Sequence, residues 1–327
     1  MNNKFDIVTI GDIKLDTFIN MPNASLTGDV EAGDFKLCVD YGKKNQAKSV
    51  ELQIAGSAPN VAIGVAKMKK SAAILSEMGQ DFIYNAALEY LEKHKVSTEY
   101  VKAIKGTGSS FAAILNYKGE STQIVAHSDH EYNLPKKHPD TKWVHVSELG
   151  KGYQNIFKNM LSCCAKNGVK ISLNPGAVQI QERKKELFDL LKKTTVLFLN
   201  KVEAEHILQL KEEETMHYIM GQLKKLGPDY VVVTDGRNGA YAFDGEQLDY
   251  APMFPGKRVE ATGAGDAFTS GFLGALMHGK THAEALTWGA VNAASVVFYV
   301  GPTKGLLSHS EINRRLKEKP KYKTKEL

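Results

Sequence analysis

The chain has 327 residues, of which 43% are hydrophobic and 24% are charged. This composition is typical of a globular protein and excludes a collagen-like or wholly disordered chain. The net charge of +5 comes mostly from residues 311–327, where seven basic side chains outnumber three acidic ones, so no basic surface runs along the chain and nucleic acid is not an expected partner.

The predicted elements alternate between strands and helices. Short, continuous apolar runs predict strands that are buried on both faces. In chain order these runs are residues 5–10, 72–75, 143–146, 169–173, 195–199 and 230–233. Apolar residues at helical spacing predict helices at 80–94, 155–166, 181–191 and 213–226. The repeated order of strand and helix predicts an α/β protein with a parallel sheet, whose ligands bind at the carboxyl ends of the strands.

Two stretches do not follow this alternation. Residues 21–53 carry several Asp, Gly and Lys with short β-like pieces, and residues 109–126 predict two strands joined at Lys118-Gly119. We expect both stretches to add strands to a small accessory sheet, which would form a lid if it lay over the strand ends. The predicted organisation is one domain over residues 1–327, with lid segments inserted at about 21–53 and 109–126.

Cysteine content and hydropathy indicate the cellular setting. Three cysteines, of which Cys163 and Cys164 are adjacent, suit neither a disulfide framework nor a zinc site. Residues 1–9 lack the apolar core of a signal peptide, and the apolar segment 288–300 is too short to span a bilayer. We expect a cytoplasmic protein with no membrane partner.

The strongest chemical signal is the run of small residues VEATGAGDAF at 259–268, which precedes an apolar pattern at helical spacing. Small residues before a helix let backbone N–H groups approach an anion, and the helix N-terminus adds a partial positive charge. Asp266 would lie beside a bound phosphate, where a carboxylate can accept a proton from an attacking hydroxyl. A Walker A lysine is absent, and GDIKLD at 11–16 is not the glycine-rich turn of a dinucleotide oxidoreductase.

ATGAGDAF at 261–268 resembles the second signature of the ribokinase family of sugar and nucleoside kinases, the PfkB-type carbohydrate kinases. Four further segments resemble motifs of this family and occur in the family's order. They are the post-strand segment 11–16, the glycine-rich turn and asparagine of 55–62, the N-x-x-E of 200–203 and the T-x-G-x-x-G of 234–239. The resemblance covers essentially the whole chain. It implies a three-layer ribokinase-like α/β/α fold with a central, mainly parallel sheet and a small β lid.

The resemblance also implies a role for each matching residue. Asp266 would be the general base, and Gly263, Ala264 and Gly265 would form a backbone anion hole for the γ-phosphoryl group of ATP. The implied substrate-binding residues are Asp12, Lys14, Asp16, Gly56 and Asn60. The implied nucleotide-binding residues are Asn200, Thr234, Gly236, Gly239 and Asn292.

Three residues raise questions about ions. Glu203 is expected to organise Mg²⁺ through water, because Mg²⁺ takes few direct protein ligands. Glu260 stands where the family usually has an Asp that helps to form a monovalent-cation site; it keeps the charge but is one methylene longer, so K⁺ is a candidate cofactor whose role is open. Lys14 stands where many sugar-specific members carry a neutral amide, and it either contacts an anionic group of the substrate or points to solvent.

The sequence therefore predicts an ATP-dependent phosphotransferase that acts on a hydroxyl of a sugar or sugar-like small molecule. A nucleoside kinase of the adenosine type is the alternative, because Phe18, Phe35, Tyr41 and Phe111 leave an aromatic slot for a base open. A non-catalytic sugar- or nucleotide-binding regulator is more remote, since a pure binder has no need of Asp266. The exposed edge of the lid makes a homodimer through the lid a candidate assembly, with a monomer as the alternative.

Overall fold

The computed structural model describes residues 4–29, 34–118, 120–129, 131–133, 140–256 and 258–327. The strands are β1 (Phe5–Ile10), β2 (Lys14–Asn20), β3 (Ser25–Asp29), β4 (Asp34–Cys38), β5 (Ser49–Ala55), β6 (Ala72–Gly79), β7 (Val96–Ile104), β8 (Ser110–Tyr117), β9 (Glu120–Ala126), β10 (Thr141–Val146), β11 (Lys170–Leu173), β12 (Val196–Asn200), β13 (Tyr230–Thr234), β14 (Ala240–Phe243), β15 (Leu248–Ala251) and β16 (Lys325–Glu326). The helices are α1 (Ser57–Lys67), α2 (Phe82–Lys93), α3 (Gln154–Asn167), α4 (Ala177–Glu182), α5 (Lys185–Leu191), α6 (Lys201–Leu208), α7 (Met216–Lys225), α8 (Ala264–Met277), α9 (His282–Val296) and α10 (His309–Glu318).

The larger sheet has the strand order β16-β15-β14-β13-β12-β11-β10-β1-β6-β7. All pairings from β13 to β7 are parallel, whereas β14, β15 and β16 extend one edge with antiparallel pairings. The carboxyl ends of the parallel strands therefore meet at one edge, where ligands of such sheets bind. This architecture confirms the predicted α/β class.

Helices cover both faces of the larger sheet. Ile7 of β1 belongs to one apolar core, together with side chains of α1, α8 and α9, whereas Val8 and Ile10 belong to a second core with side chains of α3, α5 and α7. A strand between two cores needs apolar side chains at successive positions, which explains why these strands are continuous apolar runs. No helix formed by the described residues has the length and apolar character that a bilayer crossing requires.

A small sheet with the strand order β5-β2-β8-β9 lies beside the larger one, and β3 and β4 pair in a separate two-stranded sheet. The small sheet differs from the expected lid segments, because its strand Lys14–Asn20 precedes residue 21. From the range 21–53 the small sheet takes only the residues of β5, since β3 and β4 pair with each other. Residues 30–33 and 119, which fall within the predicted lid segments, lie outside the described residues.

One predicted helix is two helices. The prediction of a helix at 181–191 is wrong, because α4 ends at Glu182, and Arg183 has a left-handed backbone conformation with φ of 47°. The guanidinium of Arg183 donates a hydrogen bond to the carbonyl of Ile207 and lies 5.1 Å from the ring centre of Phe188. These tertiary contacts fix the break, and a pattern of apolar residues does not record them.

Candidate active site

Two cavities lie at the carboxyl edge of the larger sheet and meet at the N-terminus of α8. The first cavity has a volume of about 390 Å³ and the second about 550 Å³. Thr234, Ala261, Ala264 and Gly265 line both of them. Side chains of the small sheet complete the lining of the first cavity, so this sheet covers the strand ends as a lid.

The start of α8 forms the wall that the two cavities share. Gly263 precedes the helix with φ of 78°, and a Cβ there would lie 2.3 Å from Cβ of Pro302, so only glycine fits. The N–H of Ala264 is engaged, because it donates to the carbonyl of Ala261 at 3.1 Å. Within the described part of the chain, the N–H groups of Gly265 and Asp266 have no protein acceptor. They are therefore the donors that α8 offers to an anion.

The start of α1 lines the first cavity. Gly56 has φ of 120°, and a Cβ there would lie 2.3 Å from the carbonyl oxygen of Asp12. Glycine is thus required for the two segments to approach each other. Asn60, one turn later, is 4% exposed, and its Nδ2 donates to Oδ2 of Asp266 at 2.8 Å. The amide Oδ1 of Asn60 is buried without a hydrogen-bond donor in the protein.

Asp266 lines the first cavity from the first turn of α8. Burial raises the pKa of this carboxyl, while hydrogen bonds from Asn60 and Ser57 oppose the rise. A carboxylate with a raised pKa accepts a proton more readily near neutral pH, and the Asn60 amide fixes its orientation.

Asp16 faces Asp266 across the first cavity from strand β2. Its side chain is 6% exposed, and its Oδ1 is buried without a donor in the protein. Burial raises the pKa of Asp16 to about 7; Lys14 opposes the rise, and the negative charge of Asp266 adds to it. The structure thus leaves a buried acceptor for a hydroxyl group at the position where the sequence predicts substrate binding.

Lys14 belongs to a buried network of charges rather than to the solvent. Its Nζ lies 2.6 Å from Oε2 of Glu148, and Oε1 of Glu148 lies 3.7 Å from Nε2 of His127. Nδ1 of His127 lies 2.8 Å from Oδ2 of Asp12, whose Oδ1 accepts a hydrogen bond from the Tyr132 hydroxyl at 2.7 Å. Asp12 lines neither cavity. Its position therefore supports His127 and does not provide the predicted substrate contact.

The pKa values of this network follow from its ion pairs. Burial lowers the pKa of Lys14, but the attraction of Glu148 outweighs it and the pKa is raised. Burial raises the pKa of Glu148, but the attraction of Lys14 outweighs it and the pKa is lowered. The hydrogen bond to Asp12 raises the pKa of His127. The ion pairs thus favour the charged form of each of these three groups.

Asn200 and Glu203 cap the start of α6 and line the first cavity. Oδ1 of Asn200 accepts from the N–H of Glu203 at 2.8 Å, and Oε2 of Glu203 accepts from the N–H of Asn200 at 2.9 Å. Burial raises the pKa of Glu203 to about 7; the Asn200 N–H opposes the rise, and the charges of Asp266 and Glu148 add to it. Buried carboxyls that repel one another favour a nearby cation.

Glu260 ties three segments together and lines neither cavity. Its Oε1 accepts from the N–H of Thr262 at 2.6 Å and from the hydroxyl of Ser121 at 3.2 Å, and its Oε2 accepts from the N–H of Gly301 at 3.3 Å. The side chain is 4% exposed. Glu260 therefore joins strand β9 of the small sheet to the loop before α8.

The second cavity is mainly apolar. Its lining includes Ala240, Pro252, Met253, Phe254, Phe268, Ala290, Ala293, Ala294 and Val297. Thr234, Gly236 and Gly239 also line it, as the sequence predicts for residues near a nucleotide. Asn292 does not line it: this buried amide donates to the carbonyl of Ala267 at 2.8 Å and accepts from the N–H of Leu307 at 2.9 Å. Asn292 therefore holds α9 against α8.

Sequence reasoning missed several lining residues. Glu148 and Asn174 line the first cavity shortly after β10 and β11, so their position behind a strand was the available signal. His127 lies behind this lining, where its 20% exposed side chain is held by Asp12, and no motif in the sequence marks it. The small residues of α9 that line the second cavity have the same spacing as core residues, and no signal in the sequence separates them.

Comparison with known proteins gives consistent relatives. The sequence model of the pfkB family carbohydrate kinases matches residues 22–308. An ATP-dependent 6-phosphofructokinase of Thermoanaerobacterium thermosaccharolyticum is 25% identical over 314 residues, which cover 91% of this chain and 89% of the relative. A nucleoside kinase of Methanocaldococcus jannaschii is 26% identical over 281 residues, which cover 84% and 88%.

The fold also matches a solved structure. The structure of Arabidopsis thaliana ribokinase complexed with ribose and ATP superposes with a TM-score of 0.79 at 21% identity. The match covers 96% of this chain and 99% of that chain. At this level of identity the likeness shows a common fold.

Proposed function

Because the chain belongs to the pfkB family of carbohydrate kinases, we propose that it transfers the γ-phosphoryl group of ATP to a hydroxyl of a sugar or sugar-like acceptor. The observation that carries this proposal is that the two cavities meet at the N-terminus of α8. An acceptor in the first cavity and a nucleotide in the second would approach each other beside Gly265. The donated phosphoryl group would then pass along the free N–H groups of α8.

The second cavity suits ATP. An adenine ring gains free energy from burial against apolar side chains such as Phe254 and Ala294. Arg237 and Arg258 line the same cavity and offer positive charge to the phosphates. The likeness in fold to a ribokinase complexed with ATP supports this assignment.

Asp266 would act as the general base. It takes the proton of the acceptor hydroxyl while the hydroxyl oxygen attacks the γ-phosphorus, and the bond from that phosphorus to the bridging oxygen of ADP breaks. The N–H groups of Gly265 and Asp266 and the positive end of α8 stabilise the charge on the transferring group. Asn60 orients the carboxylate through its hydrogen bond to Oδ2.

The residues around Glu203 fit Mg²⁺. Its carboxyl is buried beside other carboxyls, and a cation would relieve their repulsion. Glu203 and Asn200 would hold the ion through water, since Mg²⁺ takes few direct protein ligands. Mg²⁺ bound there would neutralise phosphate charge. K⁺ fits Glu260 less well, because both carboxylate oxygens of Glu260 already accept hydrogen bonds from the protein.

The polar lid supports a sugar rather than a nucleoside. The side chains of the small sheet that line the first cavity are Lys14, Asp16, Glu120, Ser121 and Gln123. None of the four aromatic residues considered for a base slot lines it: Phe18 is buried, and Phe35, Tyr41 and Phe111 are exposed elsewhere. A purine would find no ring to stack on in this lid, whereas a polyol would find hydrogen-bond partners.

A panel assay tests the proposal. Purified protein is incubated with Mg-ATP and a series of pentoses, hexoses and nucleosides, and release of ADP is measured. We expect turnover of a sugar and a loss of about 1000-fold in kcat for Asp266→Asn, as for removal of a general base. Asp229→Asn, an exposed carboxyl outside both cavities, is the matched control. Wild-type protein that phosphorylates no acceptor would refute the kinase activity, and an equally active Asp266→Asn variant would refute the role of the base.

We propose that the small sheet also forms a homodimer through its outer face. Residues on that face are apolar on all four strands: Ile19, Val50, Leu52, Phe111, Leu115 and Ile124. Leu15 and Ile54 share their register but are buried in an apolar core. Val50, Leu52 and Ile124 are each about 60% exposed. On β2, β5 and β8 this face carries no charged side chain, so a second copy of the chain is its natural cover.

The oligomeric state tests this assembly. Light scattering coupled to size exclusion should find a dimer, and Ile124→Lys should convert it to a monomer. Val202→Lys changes an equally exposed residue on α6 and should leave the dimer intact. A wild-type protein that stays monomeric at high concentration contradicts the assembly.

A further inference from the structure

We infer that the acceptor of this kinase carries no phosphate or carboxylate group and is recognised as an uncharged polyhydroxy compound. This inference rests on the proposed function and narrows its substrate class. It follows from the charges and the unpartnered acceptor atoms of the first cavity.

Acidic side chains dominate the first cavity. The carboxyl groups in its lining belong to Asp16, Glu120, Glu148, Glu203 and Asp266. Among the described residues that line it, Lys14 is the single basic side chain. Lys14 and Glu148 offset each other's charge, and Asp16 and Glu203, whose pKa values are raised to about 7, are partly ionised at neutral pH. An anionic group on the acceptor would therefore meet no net positive charge and would repel the ionised forms of these carboxyls.

Lys14 is not free to bind an anion. Its Nζ lies 2.6 Å from Oε2 of Glu148, and only 8% of its side chain is exposed. An acceptor phosphate that drew this lysine away would leave the partly buried Glu148 without its main ion pair, and a phosphate placed beside the pair would be repelled by the Glu148 carboxylate. The alternative from the sequence, in which Lys14 contacts an anionic substrate group, is therefore not supported by its surroundings.

His127, the basic side chain nearest to this ion pair, is already bound to Asp12. His127 lies 3.7 Å from Glu148, but its Nδ1 is within 2.8 Å of Asp12. The network contains two basic side chains, Lys14 and His127. It contains three carboxyl groups, those of Asp12, Asp16 and Glu148, which all act on Lys14. Among the described residues that line the first cavity, no basic side chain is therefore without a carboxylate partner.

The unpartnered atoms point to hydroxyl donors. Oδ1 of Asp16 and Oδ1 of Asn60 are buried acceptors that no protein group satisfies. Sugar hydroxyls supply hydrogen-bond donors to such oxygens, whereas an ionised phosphate or carboxylate supplies acceptors. Hydroxyl groups of the acceptor thus complete the hydrogen bonding of these two oxygens, and an anionic group placed against them would not.

Matched pairs of acceptors test the inference. The pairs are D-ribose with D-ribose 5-phosphate, D-fructose with D-fructose 6-phosphate, and D-glucose with D-gluconate, each assayed for kcat/KM with Mg-ATP. We expect the neutral member of any pair that reacts to be favoured by at least about 100-fold, because like-charge contacts cost several kcal/mol. An anionic member used as well as its neutral partner overturns this inference and leaves the kinase activity standing. A panel without any turnover refutes the proposed function itself.

A variant that frees Lys14 tests the cause. Glu148→Gln removes the partner carboxylate, so kcat/KM for an anionic acceptor should rise at least about 10-fold relative to its neutral partner. Glu186→Gln removes a carboxyl paired with Lys158 on the surface and should leave the ratio unchanged. An unchanged ratio in folded Glu148→Gln contradicts the explanation. If that variant does not fold, Lys14→Gln decides: a loss confined to anionic acceptors would show that Lys14 binds them and would refute the inference.

Discussion

The two cavities that meet at α8 differ in the polarity of the side chains that line them. The first is lined by carboxyl, amide and hydroxyl groups, several of which come from the small sheet, whereas the second is lined mainly by apolar side chains of α8, α9 and the segment after β15. Directional hydrogen bonds distinguish one polyol from another, while apolar burial accepts a flat ring by shape. We infer that acceptor specificity is carried by side chains of the lid, and that phosphate chemistry is carried by the backbone between the two cavities.

Asp16→Asn tests whether the first cavity alone recognises the acceptor, and it should have the largest effect. The amide keeps the size of the side chain but removes a charged acceptor, so KM for the acceptor should rise about 100-fold while KM for ATP stays the same. Steady-state kinetics with each substrate varied in turn measures both values. Glu51→Gln changes a carboxyl on the neighbouring strand β5 outside the cavity and serves as the control. Equal rises in both KM values would contradict separate recognition by the two cavities.

Ala294→Phe tests whether the second cavity binds ATP. A larger ring at this position of α9 fills part of the second cavity, so KM for ATP should rise about 10-fold, while binding of the acceptor is preserved. Equilibrium binding of the nucleotide and of the sugar, each alone, gives the two affinities. Ala283→Phe places the same ring on the same helix outside the cavity. If the affinity for the acceptor fell as much as the affinity for ATP, the assignment of ATP to the second cavity would be contradicted.

The pH dependence of stability sharpens the account of Asp16. Its pKa of about 7 in the folded protein exceeds the value near 3.9 of an unfolded chain, so its contribution to stability is present below about pH 4 and is lost as the pH rises through 7. Asp16→Asn removes this penalty and should stabilise the protein by on the order of 2 kcal/mol at pH 8. Thermal melts should show the difference growing from pH 4 to pH 8. A difference in stability that stays constant from pH 4 to pH 8 would contradict a raised pKa of Asp16 in the folded protein.

Ser121→Ala is expected to have the smallest effect. The hydroxyl of Ser121 lies 3.2 Å from Oε1 of Glu260 and is, among the described residues, one of two links from the small sheet to the segment before α8, the other being the ion pair of Glu120 with Arg258. Loss of one hydrogen bond of about 1 kcal/mol should lower kcat by about 5-fold, with both substrates bound as before. Single-turnover measurements compare this variant with Ser162→Ala on α3. A change in KM alone would assign Ser121 to recognition of the acceptor.

The predicted site residues that the structure brings to the first cavity carry local signals in the sequence. Gly263 and Asp266 were singled out because small residues before a helix and an acid in its first turn are visible in the sequence itself, and both line that cavity. Asp16 and Asn60 were found through motifs, and the structure brings both to the first cavity with Asp266. The continuous apolar strands were predicted to within about two residues at the start of each, because strands between two helical layers have this pattern.

The contacts that the sequence could not place join distant segments. Lys14 and Glu148 are 134 positions apart, so neither the ion pair nor its consequence for substrate charge is visible locally. Asn292 and Asp12 have the residue types of a binding site, but their polar atoms are occupied by the protein. Strand β2 was missed as part of the small sheet, since its residues had been assigned to a motif and not to an alternating strand.

The alternation of the small sheet has a consequence for how this protein can diverge. In β2, Lys14 and Asp16 line the first cavity, whereas Ile19 lies on the outer face. Point substitutions at the cavity-lining positions of a strand can alter which compounds are accepted while the outer face is inherited unchanged. A single inserted or deleted residue would exchange the two faces at once. New specificities in descendants of this chain should therefore arise by replacement within a strand of constant length, with changes in length confined to the connecting loops.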